Sequence, residues 1–258
     1  MLEHSVRPFE IVAHRGITDN APENTLPAFE QAVELGADAI EFDIRLTSDK
    51  VPVVYHYYYL ENNSSATGTI FNHTLSEINQ VKVFSKNNPT AVEGHISTLG
   101  EVLQRMGGRI GLEIEIKGPE PEAPQAVGAV LADYRHLWHT IEVTARIPAF
   151  LLAVQRICPG LATNLLYPLS ANWMKPDVVE FEALNLSRLA NAKAVHLHPS
   201  QLTRTIVDSL HEYDIAVHAY EVNEDHALKT CIDLGIPRIC TDNVAWALAI
   251  RSEISEKP

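Results

Sequence analysis

An alternation along the whole chain limits the fold more than any other feature of the sequence. Short runs rich in Val and Ile alternate with stretches in which apolar residues recur at helical spacing, and such a rhythm is typical of parallel α/β folds. Nine runs predict strands, at 9–14, 38–43, 51–56, 110–116, 140–144, 161–166, 192–197, 215–219 and 238–241. Six stretches predict helices, at 24–35, 99–105, 124–134, 149–156, 201–213 and 224–234.

The number of these units favours a (β/α)8 TIM barrel in the α/β class. About eight units in a chain of 258 residues is the usual size of such a barrel, whereas open doubly wound sheets more often have about five to seven strands. Since nine strands are predicted, we expect at least one of them to be either an extra hairpin strand or a wrong assignment. No linker rich in Pro, Gly or Ser divides the chain, so we expect a single domain over 1–258. The polar segment 58–89 and the segment 170–189 depart from the rhythm.

Charge and cysteine content limit the partners and the compartment. The net charge of -13 repels nucleic acids and anionic membranes, so we expect a small-molecule substrate, no nucleic acid and no stable membrane association. The three cysteines form no C-x-x-C pair, which suits a reducing compartment. The first residues lack the apolar run of a signal peptide, and no stretch reaches the roughly 18 apolar residues of a membrane span. The sequence predicts a cytoplasmic protein and leaves its oligomeric state open.

Polar residues gather where the first four predicted strands end. Active sites of TIM barrels lie at the carboxyl ends of the strands, so these side chains are expected to meet there. They are His14 and Arg15, Glu41 and Asp43, His56, and Glu115 with Lys117.

Three of these residues are candidate metal ligands. Glu41 and Asp43 are separated by one residue, so the period of two along a strand points both carboxylates to one face, and Glu115 alternates with isoleucines in the same way. Three clustered carboxylates would repel one another and raise a pKa unless a cation lay between them. Oxygen ligands of this kind suit a hard divalent cation, Mg2+ or Ca2+.

Several motifs occur in an order that closely resembles the glycerophosphodiester phosphodiesterase family. The resemblance is densest over residues 10–56, which contain H-R-G, P-E-N-T and E-x-D, and it continues with I-S-T-L-G-E-V-L, L-E-I-E-I-K, A-Y-E-V-N and I-C-T-D-N. It implies a TIM barrel, a divalent cation, and hydrolysis of glycerophosphodiesters to glycerol 3-phosphate and an alcohol.

The resemblance also implies roles for individual residues. His14 and His56 match the general acid/base pair, and Arg15 and Lys117 match the groups that hold the phosphate. Glu23 matches the acid of P-E-N-T and is expected beside the histidines or the metal. The metal ligands of the family match Glu41, Asp43 and Glu115. Whether water or the substrate's own glycerol hydroxyl attacks the phosphorus stays open.

The chain departs from the family pattern after His56. The family has Asp at the next position and an Arg soon after, whereas this chain has Tyr57 and no such Arg. Tyr57 either packs under the segment 58–89 or forms part of an altered specificity subsite. Tyr220 stands where the family usually has the Trp of W-T-V-N. This difference again indicates that the end of the substrate bound there differs from the family's usual one.

Two alternatives to the hydrolase follow from these observations. The missing Asp and Arg suggest a catalytically weak or inactive relative that binds a phosphodiester. A phospholipid-cleaving phosphodiesterase is the other alternative, and an exposed apolar or aromatic loop at the barrel mouth would favour it. His196, His198 and His218 on late strands are expected to be structural or surface histidines, although His218 could line the mouth.

Overall fold

The computed structural model describes residues 8–86 and 88–255. Most of the amino-terminal segment in which the sequence predicts no signal peptide lies outside the described residues. The single domain over 1–258 stays a prediction. Within the described part of the chain, no helix is both long and apolar enough to cross a membrane.

Strands and helices follow the alternation predicted from the sequence. The strands are β1 (Glu10–His14), β2 (Ala39–Leu46), β3 (Pro52–Val54), β4 (Lys82–Val83), β5 (Gly94–His95), β6 (Gly111–Ile116), β7 (Ile141–Ala145), β8 (Ala162–Leu166), β9 (Ala194–Leu197), β10 (Ala216–Ala219) and β11 (Arg238–Thr241). The α-helices are α1 (Leu26–Leu35), α2 (Leu75–Ile78), α3 (Leu99–Met106), α4 (Ala123–Asp133), α5 (Pro148–Ile157), α6 (Pro176–Leu189), α7 (Arg204–His211), α8 (Asp225–Leu234) and α9 (Val244–Ser255).

The parallel strands close into a barrel. They are ordered β1, β2, β6, β7, β8, β9, β10 and β11, and β1 pairs in parallel with both β2 and β11. The predicted (β/α)8 TIM barrel is therefore confirmed.

The prediction that residues 51–56 form a strand equivalent to the others is wrong. The chain turns back directly after β2, where Thr47 and Val51 exchange hydrogen bonds and Lys50 adopts a positive φ of 64°. β3 consequently pairs antiparallel with the end of β2, outside the parallel barrel. β3 is thus an extra hairpin strand, one of the two alternatives that the ninth predicted strand left open, and His56 lies in the segment that follows it.

Residues 170–189 contain a helix that the sequence analysis missed. α6 begins at Pro176, a residue suited to the first helical turn, and runs to Leu189. Its apolar pattern is obscured because Phe181 and Leu189 are exposed. The predicted helix 201–213 is also shorter than expected: a 3-10 turn at Pro199–Gln201 precedes α7.

Alternate residues of the barrel strands face different environments. Ile40, Phe42 and Ile44 belong to the main apolar core, which also contains buried residues of the helices. The residues between them face the barrel interior, where ion pairs cross the barrel, as between Arg238 of β11 and Glu142 of β7. Barrel interiors are usually filled with branched apolar side chains. This interior is instead rich in charged and polar groups.

Residues 53–96 build a small second core beside the barrel. Its buried members are Val53, Tyr55, Leu60, Ile70, Ile78, Val81, Val83 and Ile96. The segment 58–89, which is polar in sequence, is thus folded around a few apolar side chains, and the antiparallel pair β4–β5 forms part of it.

Candidate active site

Three buried carboxylates meet at the carboxyl end of the barrel. Asp43 and Glu115 are paired neighbours on β2 and β6, and Glu41 lies two residues before Asp43. One oxygen of each residue lies within 4.8 Å of the others. The structure thus brings together the three predicted metal ligands.

Burial raises the pKa of two of these carboxyl groups, Glu41 and Glu115, and repulsion between the carboxylates adds to the shift. Burial raises the pKa of Glu41 well above its usual value, and the charges of Asp43 and Glu115 raise it further. Burial also raises the pKa of Glu115, although Lys117 opposes the shift. The strain matches the repulsion expected when carboxylates cluster without a cation.

The donor set fits a hard divalent cation. All three groups offer carboxylate oxygens, which Mg2+ and Ca2+ prefer. Asp43 Oδ1 is buried and accepts no hydrogen bond, although Lys117 Nζ lies 3.3 Å away. Burial alone would raise the pKa of Asp43, but Lys117 and Arg15 outweigh it and hold the pKa below its usual value. Asp43 is therefore ionised and has an oxygen free for a ligand.

Asn24 orients Asp43 and was missed as a site residue. Its Nδ2 donates to Asp43 Oδ2 over 2.8 Å, and its Oδ1 accepts from the backbone N–H of Asp43 over 3.0 Å. Asn24 adopts a positive φ of 59° just before α1. The sequence analysis included this residue only as the first position of the predicted helix 24–35 and as part of P-E-N-T.

Two cations lie beside the carboxylates. Lys117 Nζ lies 3.0 Å from Glu115, and Arg15 Nε lies 3.3 Å from Asp43 Oδ2. Burial would lower the pKa of both cations, but nearby carboxylates, Asp43 first, raise it above its usual value in each case. Both side chains are therefore charged at neutral pH, as a phosphate site requires.

Glu23 contacts Arg15, whereas the sequence analysis expected it beside the histidines or the metal. Its Oε1 lies 3.2 Å from Arg15 Nη1. The turn before α1 carries it to the guanidinium, where it helps to fix the arginine.

His14 is held by a carboxylate directly after the last strand. Its Nδ1 lies 2.7 Å from Asp242 Oδ1, and Asn223 donates to the other oxygen of Asp242 over 2.7 Å. Burial would raise the pKa of Asp242, but the hydrogen bond with His14 lowers it, so the carboxylate is ionised. The ring is thereby oriented with Nε2 towards the carboxylates, 3.9 Å from Glu41.

His56 has a different environment from His14. Its Nδ1 is buried without a hydrogen-bond partner. Burial lowers the pKa of His56 to about 3, and Arg15 and Lys117 lower it, against the opposing charge of Asp43. Arg45, also missed by the sequence analysis, donates from Nε and Nη2 to the backbone oxygen of His56. The imidazole is thus neutral at pH 7 and fixed through its backbone.

Tyr57 forms an aromatic wall beside His56. The ring centroids are 4.7 Å apart in an edge-to-face arrangement, and Lys86 Nζ lies 3.8 Å from the centre of the Tyr57 ring. The ring also packs against the second core, as the packing interpretation predicted. Burial raises the pKa of Tyr57, and Glu23 raises it further, so the phenol stays protonated.

The site opens as a cavity of about 240 Å³ between these groups. Tyr220 lines it, with a buried hydroxyl that has no hydrogen-bond partner. Arg146, to which the sequence analysis gave no site role, lines it as well, and so does Glu221, the charged residue that follows Tyr220. We call the set Arg15, Glu41, Asp43, Glu115 and Lys117 the mouth group.

A second set of ionisable residues lies inside the barrel, and we call it the lower group. Arg238 Nη1 lies 2.7 Å from Glu142 and 3.7 Å from Glu113, and His218 Nδ1 lies 3.2 Å from His196 Nε2. Glu142, His196 and His218 are close enough to hold a metal, but the guanidinium already occupies Glu142. His218 is buried here, so the suggestion that it lines the mouth is wrong.

The missed residues had a signal in the sequence. Asp242 directly follows the last barrel strand, and Asn223 lies soon after β10, so the rule that used strand ends for His14 also applied to them. Arg45 and Asn24 act through backbone groups or through another side chain. Such contacts depend on the turn geometry and leave no pattern in sequence.

Comparison with known proteins agrees with this geometry. The family model of the glycerophosphoryl diester phosphodiesterase family matches residues 14–245. A glycerophosphodiester phosphodiesterase of Caldanaerobacter subterraneus subsp. tengcongensis is 27% identical over 238 residues, which cover 90% of this chain and 93% of the relative. Another, of Bacillus altitudinis, is 27% identical over 253 residues, covering 95% and 99%.

Solved structures share the fold. A phosphodiesterase of Oleispira antarctica, solved in complex with the product sn-glycerol-3-phosphate, has a TM-score of 0.79 and 22% identity, and the match covers 93% of this chain and 95% of that one. Because the family model spans nearly the whole chain, this protein belongs to the glycerophosphoryl diester phosphodiesterase family and is a phosphodiester hydrolase.

Proposed function

We propose that the protein hydrolyses glycerophosphodiesters to glycerol 3-phosphate and an alcohol, that it requires a divalent cation, and that His56 and His14 act as base and acid. One observation carries the proposal: a single cavity is lined by two imidazoles, two phosphate-binding cations and buried carboxylates that fit Mg2+ or Ca2+. The product complex of the Oleispira relative supports the same substrate class.

Arg15 and Lys117 orient the phosphodiester. Both are charged and lie on the same wall as the carboxylates, so they attract the nonbridging oxygens and fix the phosphorus between the two histidines. A divalent cation held by Glu41, Asp43 and Glu115 would supply further neutralisation of charge on those oxygens.

His56 takes the proton from the attacking hydroxyl. Its buried imidazole is neutral at pH 7 and so has a lone pair available. The attacker is either water, which gives glycerol 3-phosphate directly, or the glycerol hydroxyl of the substrate, which expels the alcohol and forms a cyclic phosphate that water must then open. Both routes need the same base.

His14 gives a proton to the departing alcohol. The ionised Asp242 at Nδ1 stabilises the protonated ring and leaves Nε2 as the donor that faces the cavity. Because an alkoxide is a poor leaving group, this proton transfer lowers the barrier to P–O cleavage.

The test is release of glycerol 3-phosphate from a panel of glycerophosphodiesters, with EDTA, Mg2+ or Ca2+ and with His14→Ala as the control. Metal-dependent release that the variant abolishes would support the proposal. Folded protein that binds the cation and releases nothing would favour the alternative of a relative that only binds its ligand.

Cleavage of lysophospholipids is a second candidate function. Leu169 and Trp173, in the segment after β8, are 58% and 71% exposed, and Leu166 at the end of that strand lines the cavity. Exposed apolar groups at the mouth suit an acyl chain. Choline release from lysophosphatidylcholine that falls with Trp173→Ser would support this candidate, and equal release by both proteins would reject a role for Trp173.

A further inference from the structure

A second cavity adjoins the catalytic one on the side of His14. It has a volume of about 600 Å³, and both cavities are lined by His14 and Glu221. A diester whose phosphorus lies beside His14 therefore has room to extend one of its two substituents into this second cavity.

The two cavities differ in charge. Arg15, Lys117 and Arg146 line the catalytic cavity. Among the described residues, the lining of the second cavity includes no Lys or Arg, and its charged groups are the carboxylates of Glu221, Glu224 and Asp242. The catalytic cavity thus suits an anionic phosphate, whereas the second cavity repels anions.

Two of the three acids already have close partners. Asp242 holds His14 and accepts from Asn223, and Glu224 lies 3.1 Å from His226 Nδ1. The carboxylate of Glu221 lies farther from its histidine neighbour, 3.8 Å from His198 Nε2. Glu221 is the acid at the junction that is best able to accept a new cationic partner.

The backbone fixes Glu221 at this junction. Tyr220 N–H donates to Leu197 O, and Val222 N–H donates to Cys240 O, so the residues on both sides are tied to neighbouring strands. The Glu221 side chain is 56% exposed, and the residue lines both cavities.

We propose that the second cavity receives the alcohol substituent and that Glu221 selects alcohols that carry an ammonium group over those that carry a carboxylate. This inference rests on the proposed hydrolysis of glycerophosphodiesters. It also places the leaving oxygen next to His14, the residue that we assigned as its proton donor. The chemical class of the substrate is therefore a glycerophosphodiester of a cationic amino alcohol.

The experiment compares kcat/KM for the glycerophosphodiesters of choline, which is cationic, and of glycolate, which is anionic. We expect the wild type to prefer the choline ester, and Glu221→Gln to reduce the ratio by about three- to tenfold, the effect of one exposed charge at close range. Glu221→Lys is expected to lower the ratio further, because its ammonium group repels the choline ester and attracts the glycolate ester. Since Glu221 contacts the alcohol group already in the bound substrate, the change in kcat/KM should arise mainly from KM.

Glu212→Gln is the matched control, because it removes the same charge from an exposed residue at the end of α7, at the opposite end of the barrel. Its ratio should equal that of the wild type. The wild-type preference should also weaken as salt rises from low ionic strength, since exposed charges are screened within about 10 Å at 0.1 M.

The outcomes separate this inference from the proposed function. Turnover of both esters with a ratio that Glu221→Gln and Glu221→Lys leave unchanged would overturn the role of Glu221 and leave the hydrolase intact. An equal loss for both esters would mean that the glycerol end, common to both, occupies the second cavity. No turnover of any ester by the wild type would overturn the hydrolase and this inference together.

Discussion

The mouth group and the lower group lie inside the same barrel, yet their charges are balanced in different ways. In the lower group, Arg238 contacts Glu142 and lies near Glu113, and the two histidines bond to each other. In the mouth group, Glu41 lies close to two further carboxylates, and Asp43 Oδ1 accepts no hydrogen bond.

The difference separates a structural network from a binding site. Buried charges are costly unless they are paired, and in the lower group Arg238 lies between Glu142 and Glu113, although Glu113 Oε2 also accepts no hydrogen bond. In the mouth group three carboxylates converge, and a bound cation would neutralise their mutual repulsion. A carboxylate oxygen without a hydrogen bond occurs in both groups, so the convergence of three carboxylates is the feature that favours the mouth group as the metal site.

The largest expected effect comes from the two histidines of the mouth. His14→Ala and His56→Ala should each lower kcat by on the order of 10² to 10⁴, because each removes one proton transfer. Circular dichroism and kcat with glycerophosphocholine are the measurements, and the exposed His211→Ala serves as the control. Near wild-type turnover in either variant would remove that histidine from the mechanism.

Metal activation should separate the two groups directly. Asp43→Asn is expected to raise the metal concentration for half-maximal activity by at least about 10–100-fold, the range seen when even outer partners of metal ligands are lost. Glu142→Gln, in the lower group, should leave this concentration unchanged. If both variants respond alike, the assignment of the cation to the mouth is wrong.

Asp242→Asn tests the orientation of His14 with a smaller effect. The amide keeps the shape but no longer stabilises a protonated ring, so kcat should fall by about 10–100-fold. The measurements are the value of kcat at neutral pH and the dependence of kcat on pH. A profile and rate equal to those of the wild type would show that Asp242 does not act through His14.

The lower group should make the free energy of unfolding depend on pH. Burial holds the pKa of His218 at about 3 and that of His196 well below its usual value of 6.5. As pH falls below about 6.5, the unfolded chain binds protons that the folded protein excludes, so the free energy of unfolding falls by up to about 1.4 kcal/mol per pH unit for each histidine.

Urea unfolding of the wild type and of His218→Gln between pH 7 and 4 measures this dependence. The substitution should reduce the slope of the free energy of unfolding against pH by the contribution of one histidine, up to about 1.4 kcal/mol per pH unit. An unchanged slope would show that His218 is protonated in the folded protein or does not titrate in this range. His73→Gln, a change in the segment outside the barrel, is a suitable control for loss of one imidazole.

Sequence patterns predicted the barrel well because its strands are determined by local alternation. All eight parallel strands and the gathering of His14, Glu41, Asp43 and Glu115 follow from strand ends and a period of two. β3 was assigned the wrong role because an antiparallel hairpin strand has the same composition as a barrel strand. The contact of Asp242 with His14 joins residues 228 positions apart, and only closure of the barrel brings them together.

The most direct test of the central claim is the stoichiometry and location of divalent cation binding, measured by calorimetric titration with Ca2+ and Mg2+ in wild type, Asp43→Asn and Glu142→Gln. The account predicts one site in the wild type, whose affinity Asp43→Asn lowers by at least about 10–100-fold and Glu142→Gln leaves unchanged. Binding that survives Asp43→Asn and is lost in Glu142→Gln would place the cation in the lower group and contradict the account.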